Sequence, residues 1–303
     1  MKISYLMASI GRTGGNVVIF HHMEALTGAG HEVYMITPYG KSKWEKGFLV
    51  TAMSEQNYGY LGYWSYLKKG QAFLKKNFGF LEKSIKNIYL KKPIDYATWI
   101  TKRLLKNWVE ADITIATHSH TAYACALLSA ETKAYYHMQG FEPWFVEDKW
   151  FKQISLISYH YPLSKIANCF WLQDKIENLT NQKTSLVRPG LNHSIFNLKN
   201  DVTKKYSNPE IIKIVSYADE RPLKGWKESL EAMRQLFEHY KDTEIKIEWS
   251  VFGSITNAEL DFSINYNGFL SHEKLAGLYA DAHIVFIPSW FESFPLQPLE
   301  AMA

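Results

Sequence analysis

The stretch Ile284-Val-Phe-Ile-Pro-Ser-Trp-Phe-Glu292-Ser-Phe-Pro-Leu-Gln-Pro-Leu-Glu300-Ala-Met-Ala303 decides how the rest of the chain is read. Its first four residues are an apolar run stopped by Pro288, which suits a strand buried on both faces. A turn carrying Glu292 follows, and then the first turn of a helix carrying Glu300. Strand, polar turn and helix in succession make half of a βαβ unit, so the same alternation is expected upstream.

It is found there twice over. Lys2 to Ala8 reads as a buried strand, Gly11-Arg-Thr-Gly14-Gly15-Asn16 as a tight loop, and Ile19, Met23 and Leu26 as one face of a helix that Gly28-Ala-Gly30 ends before a strand at Glu32 to Thr37. Further strands are expected at Ala111 to Thr117, Lys133 to His137, Ile166 to Phe170 and Thr184 to Val187, with a helix over Leu172 to Asn181. The turn Arg188-Pro-Gly-Leu-Asn192 closes a first domain, residues 1–200, and a Lys-, Ser- and Asn-rich linker, 201–210, follows. The second domain, 211–303, alternates again. It has strands at Ile211 to Ser216, Glu244 to Phe252 and Phe262 to Tyr266, a helix with Leu230, Met233 and Phe237 inward, and another capped by Ser271 with Leu275, Leu278 and Tyr279 buried. The expected fold is α/β, two doubly wound parallel-sheet domains.

With 303 residues the chain is long enough for two cores, and its two cysteines, Cys125 and Cys169, lie outside any metal or redox spacing, as in a reducing compartment. The apolar run at the N-terminus reaches Gly11-Arg12 too early for a signal peptide, and no apolar run approaches the roughly 18 residues of a membrane span. A cytoplasmic or peripheral protein is expected. Between Lys41 and Glu110 there are 14 Lys/Arg against 5 Asp/Glu. Tyr58, Tyr60, Tyr63, Trp64, Tyr66, Phe73, Phe78 and Phe80 are interleaved with lysines there, the pattern of a surface that docks on anionic lipid, and equally of lysines lying over an aromatic core. No motif that reads nucleic acid accompanies it, so no nucleic-acid partner is expected.

Polar groups gather at the ends of the expected strands, where open α/β sheets bind ligands. His118 and His120 follow one strand, and Gln139 and Glu142 follow the next; together they can orient and deprotonate a hydroxyl, although isolated histidines are more often structural. A His-x-His pair also suits a metal, but no further ligand spacing supports one. The Gly14-Gly15 loop offers backbone N–H groups at a helix N-terminus to an anion or a sugar hydroxyl, or is plain turn chemistry. Arg221 and Lys224 stand on a strand-to-helix loop suited to holding a diphosphate.

The segment Pro288 to Ala303, with Glu292 and Glu300 eight positions apart, resembles the Glu-x7-Glu signature of retaining nucleotide-sugar glycosyltransferases of family 4, which have the GT-B fold. Gly14-Gly15, Gly30-His31-Glu-Val33, Arg188-Pro-Gly-Leu-Asn192, Lys224-Gly225, Gly253, Asn267-Gly268 and Leu278-Tyr-Ala-Asp281 agree with it in order. Thr121-Ala-Tyr123 and Tyr136-His-Met-Gln-Gly-Phe-Glu-Pro-Trp-Phe145 resemble the rhamnosyltransferase-like branch that builds bacterial surface polysaccharides. The resemblance implies transfer of a hexosyl or deoxyhexosyl group from a nucleotide-sugar donor to a glycan or lipid-linked acceptor, with retention and with no cofactor or metal. It places Glu300 at the donor ribose, Glu292 beside the transferred sugar, and the backbone of Ser293 and Phe294, with Gly253, Asn267 and Gly268, around the donor. Lys224 and Arg221 would neutralise the leaving diphosphate. Gly14, Gly15, His120 and Glu142 fall on the acceptor side, with His118 orienting the acceptor. The chain departs from the family at Asp219, where an arginine is usual; Arg221 stands two positions later, so either the loop is rebuilt or phosphate binding is weaker. Family members continue past Glu-Ala-Met-Ala, which implies a C-terminally incomplete second domain and keeps a non-catalytic sugar- or nucleotide-binding relative, or an inactive fragment, as the alternative.

Overall fold

The computed structural model describes residues 1–11, 13–45, 93–197, 210–255 and 262–303. The aromatic and lysine-rich stretch from Tyr58 to Phe80 lies outside the described residues, as does nearly all of the expected linker. Two compact units divide at the Pro-Gly turn, Met1–Pro189 and Gly190–Ala303. The division falls earlier than the expected boundary because Phe196, together with Leu191 and Ile195, packs into the core of the second unit.

The first unit is a seven-stranded sheet in the order β3-β2-β1-β4-β5-β6-β7. Its strands are β1 (Lys2–Leu6), β2 (Glu32–Thr37), β3 (Gly40–Lys43), β4 (Ile113–Ala116), β5 (Lys133–Met138), β6 (Ser164–Ala167) and β7 (Thr184–Leu186). All neighbours run parallel except β3, an unexpected antiparallel edge strand on β2. The period of two along β1 sends Ile3, Tyr5 and Met7 to one face, where they meet Ile19, Phe20 and Met23 of α1 (Gly14–Gly28). The Gly14-Gly15 pair is therefore the first turn of α1 and not a loop: Thr13 caps the helix by accepting the Asn16 N–H at 3.3 Å.

Three helices of this unit were not expected: α2 (Pro93–Asn107), α3 (Ser119–Leu127) and α4 (Lys149–Ser158). The next, α5 (Phe170–Thr180), begins two residues earlier than read, so Phe170 belongs to a helix and not a strand. In α2, Ile100 and Leu104 are fully buried one turn apart.

In the second unit β8 (Ile211–Ala218), β9 (Lys246–Gly253), β10 (Asn265–Tyr266) and β11 (Ile284–Phe286) form an all-parallel sheet in the order β10-β9-β8-β11. Ile214 and Trp249 meet Met233 of α6 (Trp226–Tyr240) on one face. Val215 and Phe252 meet Leu275 and Tyr279 of α7 (His272–Asp281) on the other. Ser271 caps α7 by accepting the Lys274 N–H, as its sequence suggests. The last helix, α8 (Leu296–Met302), starts early enough to put Glu300 in its second turn instead of its first. Because the four strands are parallel, all their carboxyl ends lie along one edge, which gathers the loops after Ala218, Gly253, Tyr266 and Phe286.

At that edge Gly225 has φ +69°, and a Cβ placed on it would stand 2.0 Å from the Pro288 carbonyl oxygen. The loop before α6 and the loop after β11 thus touch backbone to backbone at a position only glycine allows. Gly225→Ala should destabilise the chain by roughly 2 kcal/mol or more, from the left-handed backbone and the clash together; urea unfolding measures it, and an unchanged midpoint would refute the close approach.

Candidate active site

The contact at Gly225 brings together charged side chains from two loops of the second unit. Pro222–Lys224 forms a short 3-10 turn between β8 and α6. Leu223 of this turn accepts the Trp290 N–H at 3.0 Å, and the Trp290 indole N–H donates to Glu228 Oε1 at 2.7 Å. So clipped, the two loops bring Lys224 Nζ to 2.6 Å from Glu292 Oε1, with both side chains largely buried. A close, partly desolvated pair of this kind is stronger than a surface pair and holds both groups in register.

Arg221, one residue before the 3-10 turn, lies against Asp219 with two guanidinium nitrogens at 2.8 Å from the two carboxyl oxygens. Burial pushes the Asp219 carboxyl up, but the Arg221 guanidinium and backbone N–H outweigh it and the net shift is down. The Arg221 side chain is thus turned back along its loop onto Asp219.

Around these cations the strand ends form a glycine junction. Gly253, at φ +130°, would put a Cβ 2.4 Å from the Ala218 carbonyl oxygen, and its N–H donates to Gly268 O at 2.8 Å. Asn267 donates its side-chain amide to Val251 O at 3.1 Å and to Asn265 O at 3.2 Å, so these amide protons serve the sheet. Ser293 and Phe294 are half-buried in the loop between Glu292 and α8. Glu300 is half-buried too, and burial raises its carboxyl from 4.5 to about 7. Tyr279, whose hydroxyl is raised first by burial and then by the charge of Glu300, lies on the neighbouring α7.

In the first unit the expected acceptor-side residues do meet, in a more constrained way than their spacing suggests. Glu142 is buried; it accepts the Tyr136 hydroxyl at 2.7 Å and the Ser119 N–H at 2.9 Å, and stands 3.2 Å from His118 Nε2. His118 is the N-cap of α3, its Nδ1 accepting the His120 N–H at 3.2 Å. The same nitrogen lies 2.9 Å from His120 Nδ1. Both nitrogens of His118 are thus engaged. His120 sits against Tyr96 and Phe151, and burial, then the charge of His118, keep its ring well below its ordinary value. Gly15 lies against Gln139, where an added Cβ would meet the Gln139 Cβ at 3.4 Å. Among the described residues no three His, Cys, Asp or Glu side chains group as a metal site, and no helix is long and apolar enough to cross a membrane.

A carboxyl raised by burial binds its proton more tightly folded than unfolded, so Glu300 contributes a destabilisation that is absent below about 4.5 and complete above about 7. Glu300→Gln should therefore gain melting temperature over the parent chain at pH 8, with the gap closing as pH falls towards 4.5; a pH-independent gap would contradict the assignment.

Comparison with known proteins bears on the fold. Residues 199–303 match the family model described as glycosyl transferases group 1. No curated protein matches the chain in sequence. Among solved structures, sucrose-phosphate synthase from Thermosynechococcus elongatus is 16% identical, with 100% of this chain and 79% of that one covered and a TM-score of 0.61. Anabaena HepE in complex with UDP-glucose is 15% identical, covering 100% of this chain and 78% of that one at a TM-score of 0.63. The catalytic domain of starch synthase IV from Arabidopsis thaliana, bound to ADP and acarbose, is 11% identical, with 99% and 80% covered and a TM-score of 0.55. These likenesses establish the fold as GT-B.

Proposed function

We propose that the chain is a glycosyltransferase that moves a hexosyl or deoxyhexosyl group from a nucleotide-sugar donor to a hydroxyl of a glycan or lipid-linked acceptor, with retention of configuration. The observation that carries this reading is the Lys224–Glu292 pair at 2.6 Å on the carboxyl edge of the second sheet, inside the segment that matches the group 1 family model. In this reading Lys224 is the cation for the leaving diphosphate and Glu292, beside it, the carboxyl group for the sugar it leaves. Lys224 and Arg221 stabilise the charge that develops on the diphosphate, and Glu292 accepts hydrogen bonds from the transferred sugar. The second oxygen of the pair and the N–H groups at Ser293 and Phe294 give that sugar further partners.

Glu300, on α8, takes the ribose hydroxyls, for which a carboxylate offers acceptors only. Gly253 and Gly268 let the donor approach the strand ends, and the backbone at Asn267 and Gly268 meets its base. UDP-glucose in the Anabaena neighbour and ADP in the Arabidopsis one support a nucleoside diphosphate donor. On the acceptor side, Gly14, Gly15, His118, His120 and Glu142 shape the first unit's edge, with the partly exposed His118 ring, fixed by Glu142 and the α3 cap, as a surface that orients the acceptor. The donor is a substrate, and the reaction needs neither cofactor nor metal in this reading. A cytoplasmic enzyme working at the inner face of a membrane fits a lipid-linked acceptor, and the narrower kinship with rhamnosyltransferase-like enzymes of surface-polysaccharide synthesis rests on the sequence around Tyr136 to Phe145.

Lys224→Ala should lower turnover by about 10²-fold, the scale of losing one preorganised electrostatic group in a water-poor site. Glu300→Ala should chiefly raise the KM for donor. Steady-state kinetics with the active donor separate the two, and wild-type turnover in Lys224→Ala would remove that lysine from the chemistry.

A further inference from the structure

The loop after β8 contains a second carboxyl–cation pair, Asp219 with Arg221, and the reading above gives its carboxyl group no role. Asp219 accepts four hydrogen bonds: the Arg221 backbone N–H at 2.9 Å and Nε–H at 2.8 Å on Oδ1, and the Arg221 Nη2–H at 2.8 Å and the Tyr217 hydroxyl at 2.9 Å on Oδ2. Its side chain is only 10% exposed, whereas that of Arg221 is 62% exposed. The carboxyl group is thus saturated and sunk at the end of β8, while the guanidinium spans from it to solvent.

A guanidinium is planar and carries five N–H donors, which form more than one hydrogen-bonding edge. Asp219 occupies the edge made by Nε and Nη2. Asp219 and Tyr217 together fix the direction of the guanidinium, and the edge made by Nη1 and the outer Nη2 proton is not taken by Asp219. Three residues on, across the 3-10 turn, Lys224 is held by Glu292 in the same way.

We propose that Asp219 is a positioning residue that presents the outer edge of Arg221 to a diphosphate. The ligand's identity rests on the nucleotide-sugar reading of this site; the role of Asp219 rests on the geometry alone. Arg221 does not leave Asp219 when an anion arrives, because that would strand a buried carboxylate without its partner. It stays and binds the anion with its second edge, so the guanidinium bridges the two. Were Asp219 instead an electrostatic brake on the site, removing its charge would tighten anion binding. Positioning gives the opposite sign.

Calorimetric titration with inorganic pyrophosphate and with UDP distinguishes these outcomes in the full chain. Asp219→Asn, which keeps the shape of the side chain, should weaken pyrophosphate binding about tenfold, and it should add nothing further in a chain that already carries Arg221→Met. That lack of additivity is a readout that a merely structural aspartate would not produce. Tighter or unchanged binding in Asp219→Asn, an equal loss in the Arg221→Met background, or no binding by the parent chain would overturn the proposal. Arg221→Lys, at an exposed position, carries the same test if Asp219→Asn impairs folding: an ammonium has no second edge, so it should lose about as much as Arg221→Met, and wild-type binding there would refute the bridge. If pyrophosphate follows this pattern but no donor is turned over by the parent chain, the glycosyltransferase reading fails and the role of Asp219 stands.

Discussion

The structure of the second unit's functional edge depends on one backbone contact. Gly225 lies against the Pro288 carbonyl in a left-handed conformation that leaves no room for a side chain. From that contact follow the bond between Leu223 and Trp290, the bond between Trp290 and Glu228, and the placement of Lys224 on Glu292. Two loops that leave different strands are tied together by the backbone itself, which fixes the charged groups they carry. Such preorganisation is what allows fixed charges to lower a barrier.

The electrostatics of the edge follow one pattern. Each of its two cations is held by a carboxyl group of the same unit, Lys224 by Glu292 and Arg221 by Asp219. Isolated, these pairs would be a weak source of stability. Their value lies in geometry, since each fixes the direction of a long, flexible side chain. Glu300 stands apart from this pattern, half-buried and raised by burial to about 7, so it is the group in the site whose charge changes near neutrality.

The parallel sheets were legible from apolar clusters, as at Ile211-Ile212 with Ile214-Val215 and at Ile284 to Phe286, although β11 is an edge strand with Ile284 48% exposed and so is not buried on both faces as its run suggests. Helices α1, α6 and α7 were legible for a different reason, apolar residues recurring at helical spacing, as at Leu230, Met233 and Phe237. By contrast α3, Ser119–Leu127, is built of small residues buried nearly all round, so no helical stripe marks it, and its start was read as a strand-end loop. The charged pairs were hidden differently. Spacing put Arg221 and Lys224 on one loop, but nothing in the order of residues shows that Arg221 turns back to Asp219 or that the nitrogens of His118 are taken up by Glu142 and the α3 cap. Those facts depend on which way side chains point across strand ends, and the Pro189–Gly190 division likewise depended on where Phe196 found a core.

The central claim is that the carboxyl edge of the second sheet holds a nucleotide sugar through Lys224, Glu292 and Glu300. Calorimetric titration of the chain with UDP-, GDP-, dTDP- and ADP-sugars tests it most directly. The account predicts saturable one-to-one binding of at least one of them, with affinity that falls between pH 8 and pH 6 as Glu300 gains its proton near 7. Absence of binding by all four, or binding indifferent to pH across that range, would contradict it.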